Sequence, residues 1–285
     1  AGGSPLNVAV GLARLGTPSA LFTGLSTDPL GERLVAFLDA EGVDRSRCPR
    51  TGRLTTVSLV GLDADGVPAY AFHASDSADT GLKPADLPVL GPDITGLHFG
   101  SYSIAVPPVA DTLAELARRA EGRLVCLDPN IRPTIEPDMG VWRARIDAFF
   151  PAVDVLKISA EDLSALHPGL THEDFARDAL SRGARLVVVT DGGDAVRAWA
   201  DGGLSAEVRP PAVEIVDTVG AGDTFQAALL YRLTLNGDGH AALANMTVET
   251  LTKTLQFCAG AAAVTCTRQG ADLPRLSELT HLPGA

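Results

Sequence analysis

The chain has 285 residues, 46% of them hydrophobic and 20% charged, and a formal net charge of -12. That length suits one large α/β domain with a small appendage, or two modest domains. The acidic balance argues against a general nucleic-acid or anionic-membrane surface, because both need a basic face. Its lysines are Lys83, Lys157 and Lys253, so a cationic site must lean on arginine, backbone N–H groups or metal. The four cysteines, Cys48, Cys126, Cys258 and Cys266, show no CxxC pair and no metal-type spacing. They read as reduced thiols of a cytoplasmic protein. No signal peptide or membrane span is read.

In chain order, Ser4-Pro5 opens a helix that Gly16 closes. Residues 19–23 read as a buried strand. Asp28-Pro29 opens a second helix, with Leu30, Leu34, Phe37 and Leu38 at helical spacing and Gly42 after it. Residues 55–62 and 67–73 flank Asp63-Ala64-Asp65-Gly66 and read as an antiparallel hairpin, either a lid over a site or an edge hairpin. Further buried strands are expected at 97–100, 124–128, 153–157 and 186–190, each apolar on both faces as a helix-covered sheet requires. Ser159 with Asp162 has the form of a capping box, and Thr171 with Glu173 and Asp174 opens another helix. An apolar strand is expected to end near Val216, and long helices to follow Gly222 and Asn245. Strands alternating with helices predict an α/β fold built on a mostly parallel sheet.

The strongest chemical signal is Asp217-Thr218-Val219-Gly220-Ala221-Gly222-Asp223-Thr224-Phe225. Small residues at a helix N-terminus let the Gly220, Ala221 and Gly222 N–H groups converge on an anion, aided by the helix dipole. Asp223, in the first turn, points a carboxylate at the same space. That pairing suits phosphoryl transfer: amides hold the transferring oxygens and the carboxylate takes a proton from the attacking hydroxyl. An isolated Gly-Ala-Gly-Asp is also compatible with a tight turn followed by an acidic helix start. It is neither a Walker A nor a GxGxxG motif.

The whole nine-residue string resembles the second signature of the ribokinase (PfkB) family of carbohydrate kinases. Gly2-Gly3-Ser4-Pro5-Leu6-Asn7, running on to Leu15-Gly16, is similar to that family's first signature, and implies sugar contacts by Gly2, Gly3 and Asn7. Asp128-Pro129-Asn130-Ile131-Arg132 looks like a segment of its fructokinase-like members, with Asn130 and Arg132 facing the sugar or the phosphates. Lys157 and Asp162, in a segment resembling the region near ATP and its magnesium, are implied as a phosphate contact and a metal or water-network carboxylate. The family's usual Asn and Glu are replaced there by Ser159 and Asp162. Thr190, Gly192 and Gly193 resemble the nucleotide-side turn, and Ala262 and Gly270 the lining of the adenine pocket. Asp217 reads either as a turn cap or, through the resemblance, as a holder of a potassium ion.

The resemblance runs from Gly2 to Ala271. It implies a ribokinase-like domain over residues 1–285, with a central, mostly parallel sheet flanked by helices and a small β lid from the hairpin at 54–75. Family members open with a strand whose Asp holds sugar hydroxyls, and this sequence is expected to begin after that strand. The implied activity is ATP- and Mg²⁺-dependent phosphorylation of a primary hydroxyl of a small sugar, most like a fructokinase, in a possible homodimer. A 2-keto-3-deoxygluconate kinase is the nearest rival, and a non-catalytic sugar or nucleotide binder on the same fold is the alternative of another class. A serine hydrolase is excluded for want of a GxSxG elbow, and a dehydrogenase for want of the glycine fingerprint after a first strand. The six histidines are scattered, and His98 reads as a core or pocket residue rather than a ligand.

Overall fold

The computed structural model describes residues 1–62 and 68–283, with side chains outside 60–70. The turn expected at Asp63-Ala64-Asp65-Gly66 lies outside the described residues. The chain runs through α1 (Ser4–Arg14), β1 (Leu25–Ser26), α2 (Pro29–Ala40) and β2 (Arg50–Thr51), then the hairpin strands β3 (Val57–Leu62) and β4 (Pro68–His73). The body follows: β5 (Gly96–Gly100), α3 (Val109–Arg118), β6 (Leu124–Asp128), α4 (Met139–Phe149), β7 (Val155–Ser159), α5 (Ala160–Leu166), α6 (His172–Ser181) and β8 (Leu186–Asp191). It ends with β9 (Ala195–Ala200), β10 (Leu204–Val208), α7 (Ala221–Thr234), α8 (Gly239–Ala244) and α9 (Val248–Cys266).

A six-stranded sheet in the order β10-β9-β8-β7-β6-β5 forms the centre. β5 to β8 are parallel, and β9 and β10 add an antiparallel edge. Both faces of the parallel strands are buried, and the period of two sorts them. Leu124, Cys126, Val155, Leu186 and Val188 face the α7/α9 core; Val125, Leu127, Leu156, Ile158, Val187 and Val189 face the core that holds Trp142 and Phe149. Two polar residues fall on the α7 side of this alternation at the strand ends, Asp128 after Cys126 and Lys157 after Val155. β6 and β7 pair with Cys126 opposite Val155 and Leu127 opposite Leu156, so the next rung brings Asp128 and Lys157 side by side. The carboxyl ends of parallel strands are where open α/β sheets place their ligands.

Several expectations are corrected. Residues 19–23 run extended, but the only bridge there is Ala20 with Asp44; the ladder begins later, as β1 against β2. The expected strand at 153–157 starts at Val155, because Val153 N–H is turned back to the Phe150 carbonyl. No strand ends near Val216. Pro210 and Pro211 remove ladder donors, and Val213, Ile215 and Val216 are exposed, with Val216 N–H donated to the Cys266 carbonyl. The α1 cap also differs: Gly3 holds the N-cap position without a side-chain bond, which frees the Ser4 hydroxyl.

The hairpin is clipped to the body at its root. Asp28 caps α2 through Gly31 N–H at 2.7 Å, and also accepts from the Thr55 amide at 2.8 Å and the Thr55 hydroxyl at 2.7 Å. Those donors, Gly31 first, hold its carboxyl below the usual carboxylate range. Asp28→Ala is expected to lower stability by about 1–2 kcal/mol, the upper range for an N-cap loss, read as a shift in the urea midpoint at pH 7. Because the folded carboxyl is held down, this contribution is present above about pH 4 and fades as the pH falls further, so the difference between variant and parent shrinks in acid.

Candidate active site

A cleft of about 1760 Å³ runs the length of the β5 edge, from Thr95, Gly96 and Thr234 at one end to the carboxyl ends of the strands at the other, where it lies between the hairpin, α1 and the start of α7. Its walls include Gly2, Gly3 and Asn7 from the first motif, Asn130 and Arg132 from the segment after β6, and Asp217, Gly220, Gly222, Asp223 and Gly270. Thr56, Val57 and Phe72 of the hairpin form part of the opposite wall.

The N-terminus of α7 shows how the chain builds an anion site. Gly220 takes φ 84, and a Cβ there would lie 2.7 Å from the Ala271 Cβ, so this position needs glycine on both counts. The left-handed cap lets the next residues enter the helix with their N–H groups toward the cleft. The first intrahelical bond is Thr224 N–H to the Gly220 carbonyl at 2.8 Å, so the Gly222 and Asp223 amides precede the helical ladder. The Ala221 amide differs from expectation. It donates to the Thr218 carbonyl at 3.2 Å and tightens the turn.

Asp223 is 7% exposed. Ser4 Oγ donates to its Oδ1 at 2.6 Å and Asn7 Nδ2 donates to its Oδ2 at 2.7 Å, both from α1. Burial pushes the Asp223 carboxyl up from the ordinary aspartate value, and the Ser4 and Asn7 donors work against it. Each carboxylate oxygen has two lone pairs, so both retain acceptor capacity for a ligand hydroxyl. Asn130 Nδ2 donates in turn to Ser4 Oγ at 2.9 Å, from a backbone at φ 41. Arg132 gives Nη1 to the carbonyls of Asn130, at 3.1 Å, and Ile131, at 2.7 Å, which fixes its guanidinium at the cleft wall.

Lys157, expected as a phosphate contact, sits beneath the cleft instead. It is 4% exposed, and Nζ donates to Asp128 Oδ2 at 2.8 Å. A Cβ on Gly222 would lie 3.4 Å from this Nζ, so the ammonium underlies the start of α7. Asp128 Oδ1 is buried with no partner. Ser159 caps α5 by accepting Asp162 N–H at 3.0 Å, while Asp162 Oδ2 reaches the Ile131 amide at 3.4 Å. Burial, and then the negative charge of Asp128, push the Asp162 carboxyl up to about 6. Its neighbour Glu161, not Asp162, is on the cleft wall. Asp217 acts as a turn cap, accepting Val219 N–H at 3.0 Å and Gly270 N–H at 2.8 Å. Thr190, Gly192 and Gly193, at the β8–β9 turn, and Ala262, on α9, lie outside the cleft walls. Burial pulls the His98 imidazole down, to about 4, although its half-buried ring also lines the cleft. Its Nδ1 is 3.4 Å from Gln226 Nε2.

Ser4 and Asp128 are the contributors that motif reading passed over. Ser4 was legible as a polar residue inside the glycine motif, but a hydroxyl before a proline at a helix start reads first as a cap. Asp128 was visible at a strand end, and only the register with β7 gives it a partner.

A buried carboxylate beside amides that precede a helix ladder, at the carboxyl ends of a parallel sheet, suits a phosphoryl-transfer enzyme acting on an alcohol. The chain matches the pfkB family carbohydrate kinase model over residues 1–278, and it belongs to that family. It is 40% identical over 237 residues to a fructokinase of Rhizobium leguminosarum bv. trifolii, covering 83% of this chain and 72% of that protein. It is 36% identical over 256 residues to a fructokinase of Klebsiella pneumoniae, covering 85% and 80%. Among solved structures, fructokinase from Xylella fastidiosa with bound ATP matches with a TM-score of 0.88 at 29% identity, over 98% of this chain and 88% of that one. Fructokinase from Vibrio cholerae O395 in its fructose, ADP and calcium ion bound form matches with a TM-score of 0.85 at 29% identity, over 99% and 91%.

Proposed function

We propose that this protein is an ATP-dependent fructokinase in which Asp223 is the general base. The observation that carries the reading is the Asp223 carboxylate, buried at the cleft floor, held from both sides by Ser4 and Asn7, and set in the first turn of α7. Fructose lies against Gly2, Gly3, Asn7 and Asn130, with the hairpin at 54–75 as its lid. ATP follows the strand ends toward Gly270. The primary hydroxyl gives its proton to Asp223, its oxygen bonds to the γ-phosphorus, and the bond to the β–γ bridging oxygen breaks to release ADP. The Gly222 and Asp223 amides, backed by the positive end of α7, offset charge on the transferring oxygens.

Among the described residues no group of three or more His, Cys, Asp or Glu is arranged to hold a metal. Magnesium in a kinase needs only one or two carboxylates, with water and the phosphates themselves. Glu161, on the cleft wall, would be the carboxylate to hold it, with Asp162 behind it as a water-network partner, and magnesium would supply neutralisation of the phosphate charge when bound. Asp217, with one backbone donor on each oxygen, keeps lone pairs for a potassium ion.

The test is coupled ADP release with fructose, ribose, 2-keto-3-deoxygluconate, adenosine and fructose 6-phosphate, each with and without potassium. Fructose is expected to give a kcat/KM at least about tenfold above every other acceptor, a gap of about 1.4 kcal/mol in transition-state binding. Preference for another acceptor reassigns the pocket.

A further inference from the structure

Ser4 is the one polar residue of the first motif whose side chain touches two others of the site, and the direction of its hydrogen bonds is fixed by chemistry. An ionised Asp223 can only accept, so the single Ser4 proton must go to Oδ1, at 2.6 Å. The Ser4 oxygen is then left to accept, and the Asn130 side chain must turn its NH₂ toward it, as it does at 2.9 Å. A flipped Asn130 amide would set two acceptors against a hydroxyl whose proton is already committed. The Asn130 amide oxygen is therefore the end left for the cleft, which Asn130 lines.

We propose that Ser4 is a positioning residue, which orients the Asp223 carboxylate and ties it to the amide orientation of Asn130. The inference rests on the reading of Asp223 as the base. α1 brings Ser4 and Asn7 to opposite oxygens of the carboxylate, so rotation about the Asp223 side chain breaks at least one of these bonds. Asn130 stands at φ 41 on the segment that follows β6, and the Ser4 hydroxyl joins that segment to the Asp223 carboxylate. Neither Ser4 nor Asn7 is an N-cap of α1, which leaves helix capping as no account of the Ser4 hydroxyl.

The test is the pH profile of kcat/KM in Ser4→Ala and Ser4→Thr. The charged and titratable groups facing Asp223 are Asp128 from β6 and Lys157 from β7, and His98 on β5 and Asp162 on α5 share that pair's field. None of these is changed by the substitutions. A donor to a carboxylate favours its ionised form, so losing it raises the pKa, and the acid limb in Ser4→Ala is expected to move up by about one pH unit. At the pH optimum kcat is expected to fall about tenfold with little change in the KM for ATP, and Ser4→Thr is expected to restore the parent limb. The limb position does not depend on how much of the sample is folded. An unmoved limb in Ser4→Ala, whatever its total activity, overturns the assignment. Asp223→Asn, measured in parallel, separates the two levels. If it is inactive while the Ser4→Ala limb stays put, the Ser4 inference alone fails; if it turns over normally, the base assignment fails and this inference with it.

Discussion

Asp223→Asn is expected to lower kcat by at least about 10²-fold, the lower end for loss of a general base, while ATP still binds. The amide is nearly isosteric and can take one Asp223 partner unchanged. An amide at 223 can keep its oxygen toward Asn7 Nδ2 and turn its NH₂ toward Ser4 Oγ, which as a hydroxyl can accept, so both contacts survive while the basic oxygen is lost. In the proposed mechanism the transferring phosphoryl group meets the Gly222 and Asp223 main-chain amides, which the substitution keeps. A fall in kcat with intact nucleotide affinity is the signature of an interaction made only in the transition state. In the parent, burial raises the Asp223 carboxyl, so the acid side of kcat/KM is expected to fall at a pH above the ordinary aspartate value of about 3.9. The sign follows from the role: the base works ionised, and turnover is lost as the pH drops through its pKa.

The second large effect is on stability. Lys157 and Asp128 are an ion pair with 5% and 3% of their side chains exposed. Lys157→Met removes the partner of Asp128 Oδ2 and leaves a carboxylate whose Oδ1 already has none, next to the charges of Asp162 and Asp223. An uncompensated buried charge of this kind costs about 3–5 kcal/mol. The double variant Lys157→Met/Asp128→Leu removes the orphaned charge as well, and is expected to recover at least about half of that loss, because apolar replacement of a buried pair is often near neutral. Urea unfolding of Lys157→Met and of the double variant measures this. Equal loss in Lys157→Met and in the double variant would show that the pair is not what Lys157 supports.

Much of this architecture was legible because the sheet is buried on both faces. Apolar runs at 97–100, 124–128 and 186–190 have no other home, and the caps at Asp28, Ser159 and Thr171 act as their side chains predict. The residues before Asp217 misled for a related reason. Val213, Ile215 and Val216 are apolar enough for a strand, but the prolines at 210 and 211 and an exposed course leave them outside the sheet. The edge strands β9 and β10 were passed over although they alternate, their turn being Asp201-Gly202-Gly203. Within the site, the glycines and Asp223 could be placed from the motif, since a helix start constrains its neighbours. The Asp128–Lys157 pair and the Ser4 bridge could not, because both depend on strand register and on contacts across up to 219 residues of chain.

A fructokinase moves the γ-phosphoryl group of ATP to fructose. The most direct measurement is product analysis of the purified protein with ATP, magnesium and fructose, following ADP and sugar phosphate together. One fructose phosphate for each ADP, and no ADP release above background without sugar, is the predicted result. ADP release that does not depend on fructose, or none at all under conditions where ATP binds, would contradict it.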